Sequence, residues 1–536
     1  MTQSRREFIR QAAAAAALPM LHSRERTEQA FEPTWESLSR YRAPAWFRDA
    51  KLGLWAHWGP QCQPERGDWY ARRMYIQGEP QHAHHVETYG HPSRAGFIEI
   101  IGRWKAERWD PERLMTLFQR AGARYMVAMA NHHDNLDLFD SRHHAWNSVR
   151  VGPKQDIVGR WARIARERGI RFGVSNHSAH AWHWFQTAYG YDPEGPMAGV
   201  RYDAARLTRA DGAGTWWEGL DPRELYGGPQ PGMVLPDGFT SAKAAQEWHW
   251  RHDGEWIETP PPHDPELARR WLLRCNDLVD RYRPDFLYFD DYELPLGRAG
   301  LEATAHFYNQ SMRWHGGALE AVVTAKRLTP EHRRAVVETY ERGGSDTLQA
   351  LPWQTDTCLG DWHYDRDIFL QHRYKSADAV IKRLADVVSK NGNLLLSVPI
   401  RGDGTIDEDE VRILEDMAAW MAVNGEAIHS TRTWRTFGEG PTQVAAGMQN
   451  EGQAKPFTAR DVRFTTRRDA LYALVLGWPE DGRVTIASLA SHPVRRVSLL
   501  GGASRLEHRQ DERGLTVTLP ERRPPGAVQV YTLEIV

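Results

Sequence analysis

The sequence is poor in cysteine, net charge and long apolar runs, and each shortage argues against a class of protein. Its 536 residues include three cysteines, Cys62, Cys275 and Cys358, which are odd in number and far apart. That count argues against a disulfide framework and against a cysteine-based zinc site. A net charge of −2 provides no basic field for nucleic acid or membrane. No apolar run reaches the roughly 20 residues of a membrane span.

Tryptophan, by contrast, is abundant, with 23 residues in the chain. An indole ring presents a flat apolar face and one N–H donor, and such rings often line sugar sites because a pyranose has a face of C–H groups. Packing in a large hydrophobic core would account for the presence of most of these tryptophans equally well. The length suffices for more than one domain.

The N-terminus carries a pattern of export signals. Arg5 and Arg6 precede a mildly apolar segment that contains the alanine run Ala12–Ala17. A twin arginine before such a segment resembles a Tat signal, which directs folded proteins across the membrane. The run is too short to span a membrane as a mature helix, so we assign residues 1–30 to a leader. The chain is therefore expected to be periplasmic or secreted, and the alternative is an amphipathic N-terminal helix.

From residue 35 to 432, short apolar segments that fit buried strands alternate with segments of helical spacing. This alternation predicts parallel α/β architecture. Residues 352–356 are assigned to a loop. The strand candidates are 52–55, 124–130, 171–174, 286–289, 321–325, 335–337 and 394–398. The helix candidates are 114–121, 157–168, 266–282, 376–390 and 411–423.

Two regions break this alternation. Residues from about 180 to 262 are rich in Gly, Pro, Trp and Asp, and we expect a long insertion over one face, forming a wall of the substrate site. From 433 to 536, short alternating segments are separated by Gly, Pro and Asp. That pattern predicts a small C-terminal β-sandwich.

One strand candidate leads directly into two acids. Pro284 ends the preceding helix, Phe286–Phe289 has the composition of a strand buried on both faces, and Asp290 and Asp291 follow. In a (β/α) barrel the C-terminal ends of the strands open into the active site, so an acid there is placed for chemistry. The alternative is that the two acids begin a turn or cap the next helix.

Other polar residues also fall at or just after predicted strand ends. Histidines and acids gathered on one barrel face can bind hydroxyl groups from several directions, which indicates a polyhydroxylated ligand. Each residue taken alone is more often structural. The set is His57, Trp69, His132, His133, Asp134, Asn176, His177, Asp290 and Glu341.

Zinc is the rival ligand for the run His132-His133-Asp134. Adjacent histidines on a strand point to opposite faces, so both are not expected to bind one metal. No His-x-x-x-His pattern accompanies them. We therefore expect no metal and no cofactor.

Several motifs, in order, resemble glycoside hydrolase family 29, the α-L-fucosidases. They cover residues from about 45 to 430. They are Trp46–Gly59, Asp68–Tyr70, His132–Asp134, Gly152–Asp156, Leu287–Asp290, Val388–Leu396 and Asn424–Ile428. The resemblance implies a (β/α)8-like catalytic domain, a C-terminal β-sandwich and retaining hydrolysis of terminal α-L-fucosyl residues from a carbohydrate substrate.

The resemblance also implies residue roles. Retention requires two carboxyl groups about 5–5.5 Å apart, one as nucleophile and one as acid/base. Asp290 matches the family's nucleophile. His57, Trp69, His132 and His133 match residues that bind the sugar, and we add Asn176 and His177 from the end of the third strand.

The chain departs from the family's pattern at several positions. Asn131 stands where Lys is common, Asp291 where Gly is common, and residues 175–177 differ from the usual Tyr-Tyr-Ser. Gln354 stands where many members carry an acid/base Glu, and a glutamine cannot donate a catalytic proton. We assign that role to Glu341, with Glu338 as the alternative. A retaining glycosidase for a related sugar and a carbohydrate-binding pseudoenzyme without an acid/base both stay open.

Overall fold

Eight parallel strands close into a barrel in the computed structural model, which describes residues 30–502 and 505–536. The strands follow chain order around the barrel, and β8 pairs with β1 to close it. They are β1 (Leu52–Ala56), β2 (Tyr125–Asn131), β3 (Arg171–Asn176), β4 (Phe286–Tyr292), β5 (Val322–Lys326), β6 (Val337–Glu341), β7 (Trp353–Cys358) and β8 (Gly392–Ser397). The predicted barrel is confirmed. Residues 1–29 of the predicted leader lie outside the part of the chain that the structure describes.

Helices surround the barrel wherever the chain returns from one strand to the next with enough length. The main ones are Pro111–Arg120, Ile157–Glu167, Glu266–Tyr282, Arg298–Trp314, Ala377–Ser389 and Glu408–Asn424. The other α-helices are Trp35–Leu38, Ala45–Ala50, Tyr70–Arg73, Pro80–Thr88, Phe97–Arg103, Ala181–Trp184, Pro222–Tyr226, Ala242–His252 and Arg366–Leu370. Only a 3₁₀ turn, His332–Arg334, lies between β5 and β6, and no helix lies between β6 and β7. The barrel is therefore (β/α)8-like with two helices absent among its described residues.

Local signals explain where the helices begin. Ser376 caps the helix Ala377–Ser389 as predicted, since its hydroxyl accepts a hydrogen bond from the backbone N–H of Ala379 at 3.2 Å. Asp407 and Glu410 form a reciprocal capping box at the start of the helix Glu408–Asn424.

Strand β7 corrects the prediction of a loop at residues 352–356. It pairs with β6 and β8 and carries the polar residues Gln354 and Asp356 into the barrel interior. There Gln354 accepts a hydrogen bond from the hydroxyl of Tyr125 at 3.0 Å, and Asp356 accepts one from that of Tyr288 at 3.0 Å. Other strands supply hydrogen-bond partners for these polar side chains. Strand β7 can therefore lie in the barrel interior without an apolar pattern in its own sequence.

The insertion after β3 is ordered by buried carboxylates. Asp192 contacts the ring nitrogens of His82 and His91 at 3.0 and 3.1 Å and accepts a hydrogen bond from Tyr202 at 2.5 Å. Asp203 likewise accepts hydrogen bonds from Tyr75 and Tyr226. These contacts tie the insertion to the segment between β1 and β2.

The C-terminal part is an antiparallel β-sandwich, as predicted. One sheet has the order β13-β16-β11-β10-β9, the other β12-β15-β14, and apolar side chains of both share one core. The strands are β9 (Gly438–Glu439), β10 (Val462–Arg467), β11 (Ala470–Val475), β12 (Arg483–Ile486), β13 (Val497–Leu499), β14 (His508–Asp511), β15 (Gly514–Thr518) and β16 (Tyr531–Ile535). Within the described part of the chain, no helix is both long and apolar enough to cross a membrane.

Candidate active site

A cavity of about 820 Å³ opens at the C-terminal ends of the barrel strands. It collects most of the residues selected from the sequence, although they come from six different strand ends or loops. Those that line it are His57, Trp69, His132, His133, His177, Asp290 and Glu341. The insertion contributes Trp250, Glu255 and Trp256 to one side, as expected for a wall of the site.

Asp290 lies inside β4, and strand alternation directs its side chain into the cavity. One carboxylate oxygen, Oδ1, lies 2.5 Å from the ammonium nitrogen of Lys326. The other, Oδ2, lies 3.3 Å from His177 Nδ1 and 3.4 Å from His133 Nε2. Burial opposes ionisation, but the Lys326 charge and the contacts with His177 and His133 together outweigh it and hold the pKa of Asp290 well below its usual range. Asp290 is thus an ionised carboxylate aimed at the cavity.

Glu341 shares the same ammonium group. Lys326 Nζ lies 2.6 Å from Glu341 Oε2, so oxygens of Asp290 and Glu341 lie within about 5 Å of each other. This upper limit is compatible with the separation of about 5–5.5 Å at which a retaining glycosidase holds its two carboxyl groups.

Glu338, the alternative to Glu341, faces away from the cavity. It lies three residues earlier on the same strand, and period-two alternation places the two side chains on opposite faces. Glu338 pairs with Arg333 at 2.7 Å and accepts a hydrogen bond from Tyr340 at 2.7 Å. Both partners hold it outside the barrel.

Hydrogen-bond partners determine which histidine nitrogens carry protons. The amide N–H of Gln61 donates to His132 Nδ1 at 2.9 Å, and the amide oxygen of Gln61 accepts from the backbone N–H of Ala71. The Nε2 of His132 therefore carries the proton. His133 Nδ1 donates to the carbonyl oxygen of His177 at 2.8 Å. Burial holds the pKa values of His57 and His132 well below the usual range, so both rings are neutral.

His132 and His133 both line the cavity, which corrects the expectation that they point to opposite faces. The reason is that β2 ends at Asn131, so the two histidines lie in a turn where strand alternation no longer applies. Each belongs to a group of three residues whose ligand atoms lie within 4.8 Å of one another, His57-His132-His177 and His133-His177-Asp290. A metal ion or several sugar hydroxyls would fit such spacing.

Asn176 corrects another expectation, since it does not line the cavity. Ser175 accepts a hydrogen bond from the indole N–H of Trp55 inside the barrel, so the next residue on β3 faces outward. The amide oxygen of Asn176 accepts hydrogen bonds from the backbone N–H and the hydroxyl of Ser178 at 3.1 and 2.9 Å. Asn176 thus holds the turn after β3.

Gln354 also lies away from the cavity lining. Its amide group, fully buried among the strands, accepts from Tyr125 and donates to Thr339. A carboxylate at position 354 would lie beneath the cavity. Glutamine at this position therefore leaves the carboxyl pair formed by Asp290 and Glu341 intact.

Several residues that line the cavity were not predicted from the sequence. Lys326 directly follows the strand candidate 321–325, and its place at a strand end is the signal that could have selected it. Tyr288 and Trp55 contribute to the lining from inside the barrel, and Trp362 and Asp361 follow β7. These four lie in apolar or loop segments that carry no periodic signal.

Trp69 adopts an unusual backbone conformation at the cavity. Its φ of 60° and ψ of 24° lie in the left-handed region, which a bulky side chain rarely occupies. Its ring packs edge-on against those of His133 and Trp184 at centroid distances of 6.3 and 5.9 Å. Strained residues of this kind cluster at functional sites, where surrounding contacts hold them in place.

Known proteins with related sequences are α-L-fucosidases. Tissue α-L-fucosidase of Rattus norvegicus is 27% identical over 519 residues, covering 94% of this chain and 92% of the relative. The human tissue enzyme is 26% identical over 505 residues, covering 93% and 89%.

The crystal structure of the Thermotoga maritima α-fucosidase has the same fold. It aligns with a TM-score of 0.67 at 25% identity, covering 94% of this chain and 100% of that one. A structure of that enzyme with a mechanism-based inhibitor aligns with a TM-score of 0.68.

Family profiles match both parts of the chain. The α-L-fucosidase profile matches residues 19–426, and the profile of the α-L-fucosidase C-terminal domain matches residues 454–535. The first match alone spans more than half of the sequence. The chain therefore belongs to the α-L-fucosidase family.

Proposed function

We propose that this chain is a retaining exo-glycosidase that removes terminal α-L-fucosyl residues from glycans, with Asp290 as nucleophile and Glu341 as acid/base. The observation that carries the assignment is the pair of carboxylates on either side of Lys326, whose oxygens lie within about 5 Å of each other. A pseudoenzyme without an acid/base would lack a carboxyl partner beside Asp290, so this pair also argues against that alternative.

The first step forms a covalent intermediate. Asp290 attacks the anomeric carbon, the bond from that carbon to the leaving oxygen breaks, and Glu341 donates its proton to that oxygen. The product is a fucosyl ester of Asp290 with inverted configuration. Lys326 keeps Asp290 ionised for the attack.

The second step releases fucose. Glu341, now a carboxylate, takes a proton from water as the water oxygen attacks the anomeric carbon. The ester bond breaks and Asp290 returns as a carboxylate. Two inversions leave the α configuration unchanged, so fucose and the free leaving group account for all atoms of substrate and water.

The shape of the cavity supports a terminal sugar as substrate. Trp55 and Tyr288 lie at its inner end, where their rings contact those of His57 and His177. One sugar enclosed there would meet neutral imidazoles as hydrogen-bond partners. Indole rings of Trp69, Trp256 and Trp362 line its sides and offer apolar faces to C–H groups.

The domain limits and the location of the protein are also proposals. We assign residues 35–432 to the catalytic domain and 433–536 to the sandwich. Gln449, which lies between β9 and β10, reaches the rim of the cavity. Arg5-Arg6 and the alanine-rich segment after them support Tat export to the periplasm or beyond.

A panel of aryl glycosides tests the activity. We expect the purified protein to cleave aryl α-L-fucoside much faster than the other glycosides, and NMR of early product to show α-L-fucose. Asp290→Asn serves as the control for contaminating activity and should be inactive. Preferential cleavage of another sugar, or β-configured product, would contradict the proposal.

A further inference from the structure

A second buried polar cluster lies behind the nucleophile, on the opposite face of β4. It joins Asp291 to His180, in the turn after β3, and to Glu258, near the end of the insertion. His180 Nε2 lies 2.9 Å from Asp291 Oδ1 and 3.6 Å from Glu258 Oε2. The side chains of His180 and Asp291 are fully buried. None of the three residues belongs to the catalytic cavity lining.

Several atoms of this cluster lack hydrogen bonds. Among the described residues, no donor makes a hydrogen bond of acceptable geometry to either oxygen of Asp291 or to Glu258 Oε2, and His180 Nε2 likewise makes none. Of the four carboxylate oxygens in the cluster, Glu258 Oε1 alone accepts a hydrogen bond from a described residue, namely from the backbone N–H of Tyr292 at 2.7 Å. Unsatisfied polar atoms buried away from water are costly, so their convergence on one point requires a ligand or bound protons.

The hydrogen bond between His180 and His183 determines whether His180 Nε2 directs a proton or a lone pair toward the two carboxylates. His183 Nδ1 lies 3.3 Å from the carbonyl oxygen of Asp253 and must donate to it. His183 Nε2 then accepts from His180 Nδ1 at 3.0 Å. His180 Nε2 therefore presents a lone pair toward a carboxylate oxygen.

We propose that His180, Glu258 and Asp291 bind a divalent transition-metal ion, for which Zn²⁺ is the best match. One imidazole nitrogen and two carboxylates are ligands that zinc accepts. Ligand atoms bonded to a tetrahedral zinc at about 2.0–2.1 Å lie about 3.3 Å apart, and the observed 2.9 and 3.6 Å bracket that value. A metal-bound histidine usually donates its other N–H to a partner, as His180 does to His183.

The ion would connect the insertion to the barrel. Glu258 lies in the insertion, and Asp291 follows the nucleophile directly. The ring of Trp256, which lines the catalytic cavity, stacks on that of His180 at a centroid distance of 3.8 Å. Bound zinc would thus hold this wall in position, and its removal should lower the melting temperature and raise KM more than it lowers kcat.

Zinc binding to the purified full-length chain tests the proposal. The protein is stripped with a chelator, incubated with zinc chloride, desalted and subjected to elemental analysis. We expect one zinc per chain in the unmutated protein and at least a tenfold loss of affinity in Asp291→Asn and in Glu258→Gln. The matched control is Asp290→Asn, the same change at the adjacent residue on the opposite face, which should retain the zinc.

X-ray absorption at the zinc edge is measured on the unmutated protein, so this part of the test does not depend on whether the variants fold. It should show nitrogen and oxygen ligands at about 2.0–2.1 Å and no sulfur. Zinc lost in Asp290→Asn but kept in Asp291→Asn would place the ion in the catalytic cavity and overturn the proposal. Absence of bound zinc, with an infrared band of a protonated carboxyl group that disappears in Asp291→Asn, would assign the cluster to bound protons and also overturn it.

Discussion

The ammonium group of Lys326, the last residue of β5, lies 2.5 Å from the carboxylate of Asp290, which lies near the end of the neighbouring parallel strand β4. Lys326→Met should lower kcat/KM and shift the acid limb of its pH profile to higher pH. The sign follows because the lysine holds the pKa of Asp290 well below its usual range, so its loss raises that pKa and the nucleophile protonates earlier as pH falls. The profile is measured with an aryl fucoside.

Lys382→Met is the matched control, because Lys382 pairs with Asp378 on the helix Ala377–Ser389. Its pH profile should match that of the unmutated enzyme. An unshifted acid limb in Lys326→Met would mean that Asp290 does not govern that limb.

The two adjacent acids of β4 should differ in kinetic effect. Asp290→Ala should lower kcat by several orders of magnitude because covalent catalysis loses its attacking group. Asp291→Ala should lower kcat less, since Asp291 faces His180 outside the cavity. Steady-state kinetics on folded protein, checked by circular dichroism, distinguish the two. An inactive Asp291→Ala beside an active Asp290→Ala would reverse the assignment.

Glu341→Ala tests the proton donor through its dependence on the leaving group. Good leaving groups depart with little protonation, so this variant should nearly lose cleavage of a natural fucoside and retain glycosylation by an activated aryl fucoside. Azide should then restore deglycosylation and yield a β-configured fucosyl azide. The product is identified by NMR.

Glu338→Ala is the matched control for this experiment, because Glu338 lies on the same strand with its side chain outside the barrel. It should cleave both substrates at nearly normal rates. If Glu338→Ala showed the azide rescue and Glu341→Ala were normal, the acid/base role would pass to Glu338.

A buried ion pair should stabilise the junction between the barrel and the sandwich. Arg463 of β10 lies 2.7 Å from Asp386 of the helix Ala377–Ser389, and Lys390 contacts the other oxygen at 2.8 Å. Arg463→Ala leaves Asp386 buried with one partner fewer, so we expect a loss of about 3–5 kcal/mol in the free energy of unfolding. Chemical denaturation measures it.

The triple variant Asp386→Leu/Lys390→Met/Arg463→Met is the comparison for this prediction. It removes all three buried charges and keeps apolar volume, so it should cost much less than the single change. A loss in the triple variant as large as that in Arg463→Ala would show that packing, rather than an unpaired charge, accounts for the effect.

Export should depend on the twin arginine. Changing Arg5 and Arg6 to Lys should leave the protein in the cytoplasm of a Tat-competent bacterium, because the Tat pathway requires the arginine pair. Fractionation and immunoblotting locate the protein. Periplasmic recovery equal to that of the unmutated chain would contradict the prediction.

Local patterns in the sequence were enough for the elements whose stabilisation is local or periodic. The strand before Asp290 could be recognised because it is apolar on both faces, and the helix after Ser376 because a cap, an apolar stripe and a terminal Asn-Gly coincide. Ordered motifs then indicated the barrel, the sandwich and the family. The place of Asp290 directly after an apolar strand, together with the family motif, was sufficient to select it as the candidate nucleophile.

Tertiary contacts decided the remainder. Strand β7 could not be recognised because Gln354 and Asp356 find their hydrogen-bond partners on other strands. Asn176 and Glu338 could be placed on the correct face only once the register of β3 and β6 was known. The pairing of Glu341 with Asp290 depends on Lys326, which is 36 residues from one and 15 from the other in the chain. Closing the barrel brings these charges together, since parallel strands align their carboxyl ends whatever the length of chain between them.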